Sequence, residues 1–324
     1  MSKKCPFPDC YAPEMSCSNG EAKLEECAHW KSTTETTQSS DEHQVKNETN
    51  DEFLFPWTGN AMGAVDLNFL AGTGSTRLLM MAGAADAGKT SLLAAFYLLI
   101  ARGISPEGVS FAGSLTLEGW ENIASSLRWS MKDGPSFPAH TSSGAGRRPG
   151  LLHLSLRTPT KMCELLAADA PGEWFSAWAS NQQAQQAEGA RWLAACSDVL
   201  LVIADSYALS GPARGPARKA LIDLFRRIGS ELNGRPVALV WTKCDVAVPE
   251  EITNTIRDAA ARSLQNYLEF HVSMHPTPQA ESQNHGQGIV ELLQWILAVS
   301  TSGYYFSPID APERAMLSTF GAFT

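Results

Sequence analysis

The segment LLMMAGAADAGKTSLL, residues 78–93, decides the fold of this chain. Its apolar start belongs to a fully buried β-strand that we expect over residues 77–82, and its end opens a helix that we expect over 89–102. The turn between them, GAADAGKT, matches the phosphate-loop pattern GxxxxGK followed by Ser or Thr. Because a strand precedes the pattern and a helix follows it, the segment predicts a site for the phosphates of a nucleoside triphosphate.

The small residues of this turn explain how it would bind phosphate. Glycine and alanine let the backbone turn its N–H groups inward, and the helix N-terminus adds positive potential. We expect Lys89 to reach the β- and γ-phosphates and Thr90 to place its hydroxyl on Mg²⁺. A chance turn rich in glycine and alanine is the alternative, against which eight matching positions argue. The further nucleotide contacts are assigned to Gly83, Asp86, Ala87, Gly88 and Ser91.

The composition excludes several classes of protein. The 324 residues carry a net charge of −9, which argues against a surface that binds nucleic acid. An apolar fraction of 44% suits a packed globular core. No stretch reaches the roughly 20 apolar residues of a membrane span, and no apolar run follows Met1 as in a secretion signal. We therefore expect a cytoplasmic protein whose seven cysteines are thiols or metal ligands rather than disulfides.

The first 52 residues differ from the rest, since they hold five lysines against eleven acidic residues. Residues 31–52 have almost nothing to bury and predict an acidic, flexible linker. Residues 1–30 predict a small cysteine-rich module, in which zinc would supply folding energy that so short a segment cannot draw from a core. A disordered tail with free thiols is the alternative, because the CxxC pairs typical of zinc sites are absent. The candidate zinc ligands are Cys5, Cys10, Cys17 and Cys27.

From residue 53 onward, apolar strands alternate with amphipathic helices, which is typical of an α/β fold with a mostly parallel sheet. We assign residues 53–300 to this phosphate-loop domain and residues 301–324 to a C-terminal tail. The strand at 151–157 alternates Leu with polar residues, so we expect it to be buried on one face only and to run antiparallel. The other strands are expected at 162–168, 199–204 and 237–241.

Two further segments of this domain have less regular patterns of apolar residues. Residues 103–150 form an insertion rich in Gly, Ser and Pro, in which we expect one helix over 117–129 followed by a mobile stretch. Closer to the C-terminus, we expect a helix over 256–268, directly before the tripeptide VSM at 272–274.

A second motif, DAPGE, follows the strand at 162–168 directly. A carboxylate at the C-terminal end of such a strand, here Asp169, can hold Mg²⁺, usually through water. Gly172, three residues later, can donate its backbone N–H to a γ-phosphate and move away when that phosphate leaves. An ordinary Asp-x-Pro-Gly turn is the alternative. The place of the motif after a strand favours the functional interpretation.

A third motif, TKCD at residues 242–245, ends the strand at 237–241. A carboxylate at Asp245 accepts hydrogen bonds from N1–H and the exocyclic amine of guanine, whereas adenine would face it with a lone pair. The aliphatic stem of Lys243 can cover the face of the base. Ser273 and Met274 are candidates to contact the guanine carbonyl. A surface Lys–Asp pair and an ordinary strand end are the alternatives.

The order GAADAGKT, DAPG, TKCD and a terminal VS loop resembles a Ras-like GTPase of the TRAFAC class. The segments FAGSLTLEGW, DAPGEWF and SDVLLVIADS are more similar to bacterial double-GTPase domains, which are associated with conflict and defence gene neighbourhoods. The resemblance covers the sequence from residue 78 to residue 300. It implies a six-stranded sheet, hydrolysis of GTP to GDP with Mg²⁺, and a nucleotide-driven switch that acts on partner proteins.

Three departures from the family pattern bear on catalysis. Thr242 stands where these proteins often have asparagine. Glu173 follows Gly172 where a Ras-type enzyme has a water-orienting glutamine, and its charge predicts slow turnover. The first-switch threonine is ambiguous, with Thr141 as our candidate. A non-hydrolysing nucleotide-binding scaffold is therefore an alternative to a GTPase, and an ATPase would require TKCD to be coincidental.

Overall fold

The computed structural model describes residues 59–63, 66–67, 70, 75–127, 150–274, 286 and 288–300. The chain divides into two units, Met1–Leu54 and Phe55–Thr324, and the described residues all belong to the second. Five features expected from the sequence lie outside them: the cysteine-rich module, the acidic linker, the mobile stretch that ends the insertion, the C-terminal tail and Thr141. Their assignments stay predictions.

A single sheet forms the centre of the described part of the chain. Its strands are β1 Ser75–Ala82, β2 Ser110–Gly113, β3 Leu151–Arg157, β4 Met162–Ala168, β5 Val199–Asp205, β6 Val237–Thr242 and β7 Leu268–His271. Their order across the sheet is β2-β3-β4-β1-β5-β6-β7. β3 runs antiparallel to β2 and β4, and the other pairs are parallel. The α/β fold with one antiparallel strand is therefore confirmed, whereas the six strands implied by the resemblance become seven because the insertion adds β2.

Helices cover both faces of the sheet. In the described ranges they are α1 Lys89–Ala101, α2 Leu117–Ala124, α3 Gly172–Ser180, α4 Glu188–Cys196, α5 Ser206–Ser210, α6 Arg214–Glu231, α7 Glu250–Ser263 and α8 Ile289–Ala298. The apolar sides of α3, α4, α6 and α7 share one core with the sheet, and those of α1, α2 and α8 share the other. None of the helices formed by these residues is long and apolar enough to cross a membrane.

The central strand β1 shows why the apolar run LLMM is needed. Leu78 and Met80 belong to the core beneath α3, α4, α6 and α7, whereas Leu79 and Met81 belong to the core beneath α1 and α8. A strand covered on both faces has no solvent side, so each of these positions is apolar. The parallel pairing of β1 with β4 and β5 brings the C-terminal ends of three strands to one edge of the sheet. Loops that follow these strands therefore meet there.

The expected antiparallel direction of β3 is confirmed, but its expected burial on one face only is wrong. His153 is only 3% exposed, because its Nε2 lies 2.8 Å from the Glu164 carboxylate and its Nδ1 accepts the backbone N–H of Leu115 at 3.0 Å. Burial lowers the pKa of His153, so the ring is neutral and donates from Nε2. A satisfied polar pair therefore takes the place of apolar side chains on the second face.

The structure corrects the sequence-based boundaries in two places. In the insertion, α2 ends at Ala124 and a 3₁₀ turn, Ser125–Leu127, follows it. The helix expected over 256–268 is wrong at both ends, since α7 spans Glu250–Ser263 and residues 268–271 form the edge strand β7. The helix ends because the chain becomes extended at Leu264, with φ of −108° and ψ of 101°. It then turns through Asn266, whose φ of +54° is left-handed.

Candidate functional site

The phosphate loop lies between β1 and α1 at the C-terminal edge of the sheet. Gly88 precedes the first residue of α1 with a φ of +85°, a conformation that glycine adopts without strain. The side chain of Lys89 folds back over the loop, and its Nζ donates to the carbonyls of Gly83 at 3.2 Å and Ala84 at 2.6 Å. The strand, loop and helix expected from the sequence are therefore present, with the lysine held at the loop.

Lys89 carries a charge that the protein alone stabilises poorly. Its side chain is buried, and burial lowers its pKa from 10.5 to about 8, although the nearby carboxylates of Asp169, Glu173 and Asp86 offset part of this effect. A buried ammonium gains strongly from any added negative charge, because the surroundings screen little. The loop is therefore suited to an anionic ligand.

Thr90 and Asp169 come from different motifs and meet in the fold. Thr90 is the second residue of α1, and Asp169 directly follows β4, the strand beside β1. The Thr90 hydroxyl donates to Oδ1 of Asp169 at 2.8 Å. A hydroxyl and a carboxylate are the oxygen ligands that Mg²⁺ prefers. These two residues therefore fit the magnesium role expected of them.

Gly172, the first residue of α3, lies directly against the phosphate loop. A Cβ atom at this position would stand 2.1 Å from the backbone nitrogen of Ala85 and 2.4 Å from the carbonyl carbon of Ala84. No side chain fits at such distances without moving the backbone of one partner. The glycine of DAPG is therefore required by the close approach of α3 to the loop.

We expect Gly172→Ala to destabilise the domain by about 2 kcal/mol, because the new methyl group would force α3 away from the loop. The same shift should weaken the preference for a nucleoside triphosphate over the diphosphate. Urea denaturation and equilibrium titration with both nucleotides measure the two effects. Gly215→Ala in α6 is the matched control, since a Cβ there meets nothing within 4 Å. Indistinguishable denaturation curves for the two variants would contradict the prediction.

Glu173 follows Gly172 in the first turn of α3, where it is exposed. Three aromatic residues of the same helix are buried instead, Trp174, Phe175 and Trp178, and they fix α3 to the core. Burial lowers the pKa of Lys89, and the nearby Glu173 carboxylate offsets part of that effect. The structure thus brings an acidic side chain to the same end of the site as the lysine.

The TKCD motif binds the phosphate loop directly. Thr242, the last residue of β6, donates its hydroxyl to the carbonyl of Ala87 at 2.8 Å and to that of Ala204 at 3.3 Å. Lys243 donates its Nζ to the carbonyl of Asp86 at 2.8 Å. Two motifs separated by some 155 positions in the sequence are therefore parts of one site. Threonine in place of the asparagine common in the family still supplies a donor to the loop.

The VSM tripeptide lies beside Asp245. The buried Ser273 donates its hydroxyl to Oδ1 of Asp245 at 2.6 Å, which orients the carboxylate. The two segments are further joined by the backbone N–H of Cys244, which donates to the carbonyl of Val272 at 3.2 Å. The partly buried side chain of Met274 packs against the core of α1 and α8.

Of the remaining predicted site residues, the structure describes Ser91 but not Thr141 or the candidate zinc ligands. Ser91 is half-buried in the first turn of α1. Thr141 and the four candidate zinc ligands lie outside the described residues. Within the described ranges, no three His, Cys, Asp or Glu side chains form a group that could hold a metal ion. Cys196, at the end of α4, is an exposed free thiol.

Asp205 is a site residue that the sequence analysis missed. It is the last residue of β5, and the register of β5 and β6 pairs it with Thr242. One of its carboxylate oxygens lies 2.8 Å from Nζ of Lys243. Its position at the end of an apolar strand, like that of Asp169 after β4, was the signal available in the sequence.

The fold and the joined motifs define a phosphate-loop domain of the GTPase class. Residues 77–296, more than half of the chain, match the family model of Double-GTPase 2. The chain therefore belongs to the Double-GTPase 2 family, and the resemblance found in the sequence is confirmed. The matched residues include the phosphate loop, DAPG, TKCD and Ser273. No curated protein shows significant similarity to this chain.

Proposed function

We propose that this domain binds GTP and hydrolyses it to GDP and phosphate. The observation that carries the proposal is the pair of hydrogen bonds from Thr242 and Lys243 to the loop carbonyls of Ala87 and Asp86. These bonds join the base motif to the phosphate motif, so a single nucleotide can contact both. Membership of the Double-GTPase 2 family supports the same conclusion.

At the phosphate end, Lys89 supplies the main positive charge. Its ammonium is buried, so its attraction to the β- and γ-phosphates is screened little by water. The N–H groups of the loop and the N-terminus of α1 add fixed partial charges. Bound phosphates raise the pKa of Lys89 above its value of about 8, which keeps the side chain protonated.

Thr90 and Asp169 are the residues that would hold Mg²⁺ in this proposal. The hydrogen bond between their oxygens, at 2.8 Å, supports it, since both side chains already face one point. A magnesium ion held there would neutralise charge on the β- and γ-phosphates.

Glu173 is the proposed water-orienting residue. Its carboxylate can accept a proton of the attacking water, but its negative charge opposes the γ-phosphate. Lys89, with which it interacts electrostatically, offsets part of that charge. We therefore propose hydrolysis with slow intrinsic turnover, with Thr141 as the first-switch residue.

The proposal extends to a cytoplasmic switch that acts on protein partners. The close contact of Gly172 with Ala85 supports a switch, because a γ-phosphate at the loop would act directly on the start of α3. A zinc-binding docking module formed by residues 1–30 and a role in bacterial defence complete the proposal, and both rest on the sequence alone.

Two variants of Thr90 test the metal-dependent step. We expect the wild-type protein to release phosphate from GTP when Mg²⁺ is present and to stop when EDTA removes the metal. Thr90→Ala should lower the single-turnover rate by about 100-fold, because the hydroxyl ligand is lost. Thr90→Ser keeps that hydroxyl and should retain most of the rate. Quench-flow measurement with γ-labelled GTP gives these rates.

Two results of this experiment would contradict parts of the proposal. Tight GTP binding by the wild-type protein with no phosphate release would contradict hydrolysis and favour the nucleotide-binding scaffold. Equal rates for Thr90→Ala and Thr90→Ser would contradict the role of the Thr90 hydroxyl.

A further inference from the structure

We propose that Asp205 is a positioning residue. It holds the ammonium of Lys243 against the phosphate loop and thereby keeps Lys243 in place at the guanine end of the site. This inference rests on the proposed function, because it assigns how the same site is kept ready for its nucleotide. Asp205 belongs to none of the three nucleotide motifs, so its role follows from the geometry alone.

The carboxylate of Asp205 uses its two oxygens for different tasks. Oδ1 accepts the backbone N–H groups of Tyr207 at 3.0 Å and Ala208 at 3.3 Å, which caps the first turn of α5. Oδ2 accepts Nζ of Lys243 at 2.8 Å. The side chain is 12% exposed. Because the cap fixes one oxygen, the other is presented to Lys243 in a defined direction.

Lys243 connects Asp205 to the phosphate loop. Its Nζ donates at 2.8 Å to both Oδ2 of Asp205 and the carbonyl of Asp86. Lys243 and Asp86 both have left-handed backbones, with φ values of +53° and +57°. Non-glycine residues hold such conformations only where the surrounding contacts fix them. The shared ammonium is one such contact, and it links β5, β6 and the loop at one point.

The aromatic ring of Tyr207 adds a third partner to the same ammonium. Its centroid lies 5.8 Å from Nζ of Lys243, within the range of a cation–π contact. Tyr207 itself is 66% exposed. The flexible lysine stem is thus fixed at its far end by an anion, a carbonyl and a ring.

Fixing a flexible side chain before the ligand arrives lowers the entropy cost of binding. The Lys243 side chain is 36% exposed, so without the charge of Asp205 its ammonium would turn towards water. We therefore expect Asp205→Asn to weaken binding of GTP and GDP by about 10-fold, equally for both, and mainly through faster dissociation. Asparagine caps helices as well as aspartate does, so α5 keeps its cap.

The experiment combines this variant with Lys243→Met in a double-mutant cycle. Dissociation rates and Kd for GDP and GTP are measured for the wild-type protein, both single variants and the double variant. If Asp205 acts through Lys243, the double variant binds no worse than Lys243→Met alone. Asp223→Asn in α6 is the matched control, since it also removes one carboxylate from an ion pair, with Lys219, and it should bind like the wild-type protein.

Two results would overturn the inference: Asp205→Asn binding with wild-type affinity, or additive losses in the double variant. Should Asp205→Asn fail to fold, Asp205→Ser, which keeps a capping oxygen, takes its place in the same cycle. Failure of the wild-type protein to bind any guanine nucleotide would instead overturn the proposed function. The two failures are therefore distinguishable.

Discussion

Replacing Lys89 with alanine should lower the rate of GTP hydrolysis by about 10²–10³-fold, because the buried ammonium is the main charge at the phosphates. The variant also leaves the carbonyls of Gly83 and Ala84 without the donor that now binds them. Phosphate release under single-turnover conditions and GTP affinity by calorimetry measure the effect. Lys219→Ala, which removes a 79% exposed lysine, is the matched control and should behave as the wild-type protein.

The pH dependence of binding gives a second measure of the same side chain. The pKa of Lys89 is about 8 in the free protein, and phosphate binding requires the protonated form. Well below pH 8 the ammonium is already charged, so affinity should fall by no more than about twofold between pH 7 and pH 8. Above pH 8 the free protein must take up a proton to bind, and affinity should fall by up to about 10-fold per pH unit. Lys89→Ala should lack this slope.

Equal phosphate release by the wild-type protein and Lys89→Ala would remove the enzymatic claim. A pH profile that is identical in both proteins would show that Lys89 does not control the charge of the site. Neither result would alter the assignment of the fold, because both concern one side chain at the edge of the sheet.

The parts of the fold that could be predicted are those whose residues have no solvent-exposed side. β1 is covered on both faces, so its run LLMM has no other explanation, and the following GAADAGKT fixes the loop and the start of α1. The same reasoning predicted both ends of β4 correctly, since this strand ends directly before the DAPG motif. Buried strands followed by polar motifs are therefore the strongest signal in this sequence.

The parts that could not be predicted lie at the two edges of the sheet. β2 and β7 have only four residues each, and Phe111 and Leu268 within them are exposed, so their apolar residues do not mark a buried face. His153 shows the opposite problem. Its alternation with leucines predicts a solvent-facing side chain, but the side chain is buried beside Glu164 of the next strand.

In the candidate site, too, some residues could be predicted from the sequence and one could not. Lys89, Thr90, Asp169 and Asp245 stand in motifs whose order could be read along the chain. Asp205 could not be found in this way, because its partner is Lys243 on the neighbouring strand and its task depends on the register between β5 and β6.

Replacing Asp245 with asparagine should change which base the site accepts. Guanine presents two donors at this position, N1–H and the exocyclic amine, and a carboxylate accepts both. The Ser273 hydroxyl at 2.6 Å fixes the direction of the side chain, so the amide of asparagine cannot avoid placing a donor against a donor. We expect GTP affinity to fall by at least about 100-fold, since an unpaired polar contact costs roughly 1–3 kcal/mol and the charge is lost as well.

Xanthosine triphosphate separates a changed preference from a damaged site. Xanthine carries a carbonyl where guanine carries the amine, so the asparagine amide can donate to it, and Asp245→Asn should bind this nucleotide more tightly than the wild-type protein does. ATP should bind weakly to the wild-type protein, because adenine faces the carboxylate with a lone pair at N1. The asparagine amide can donate to that lone pair, so the ratio of GTP to ATP affinity should fall in Asp245→Asn. Asp258→Asn, an exposed acidic position in α7, is the matched control. An unchanged ratio of GTP to ATP affinity in Asp245→Asn would contradict the guanine assignment, because a carboxylate that contacts the base cannot be neutralised without altering which base it selects.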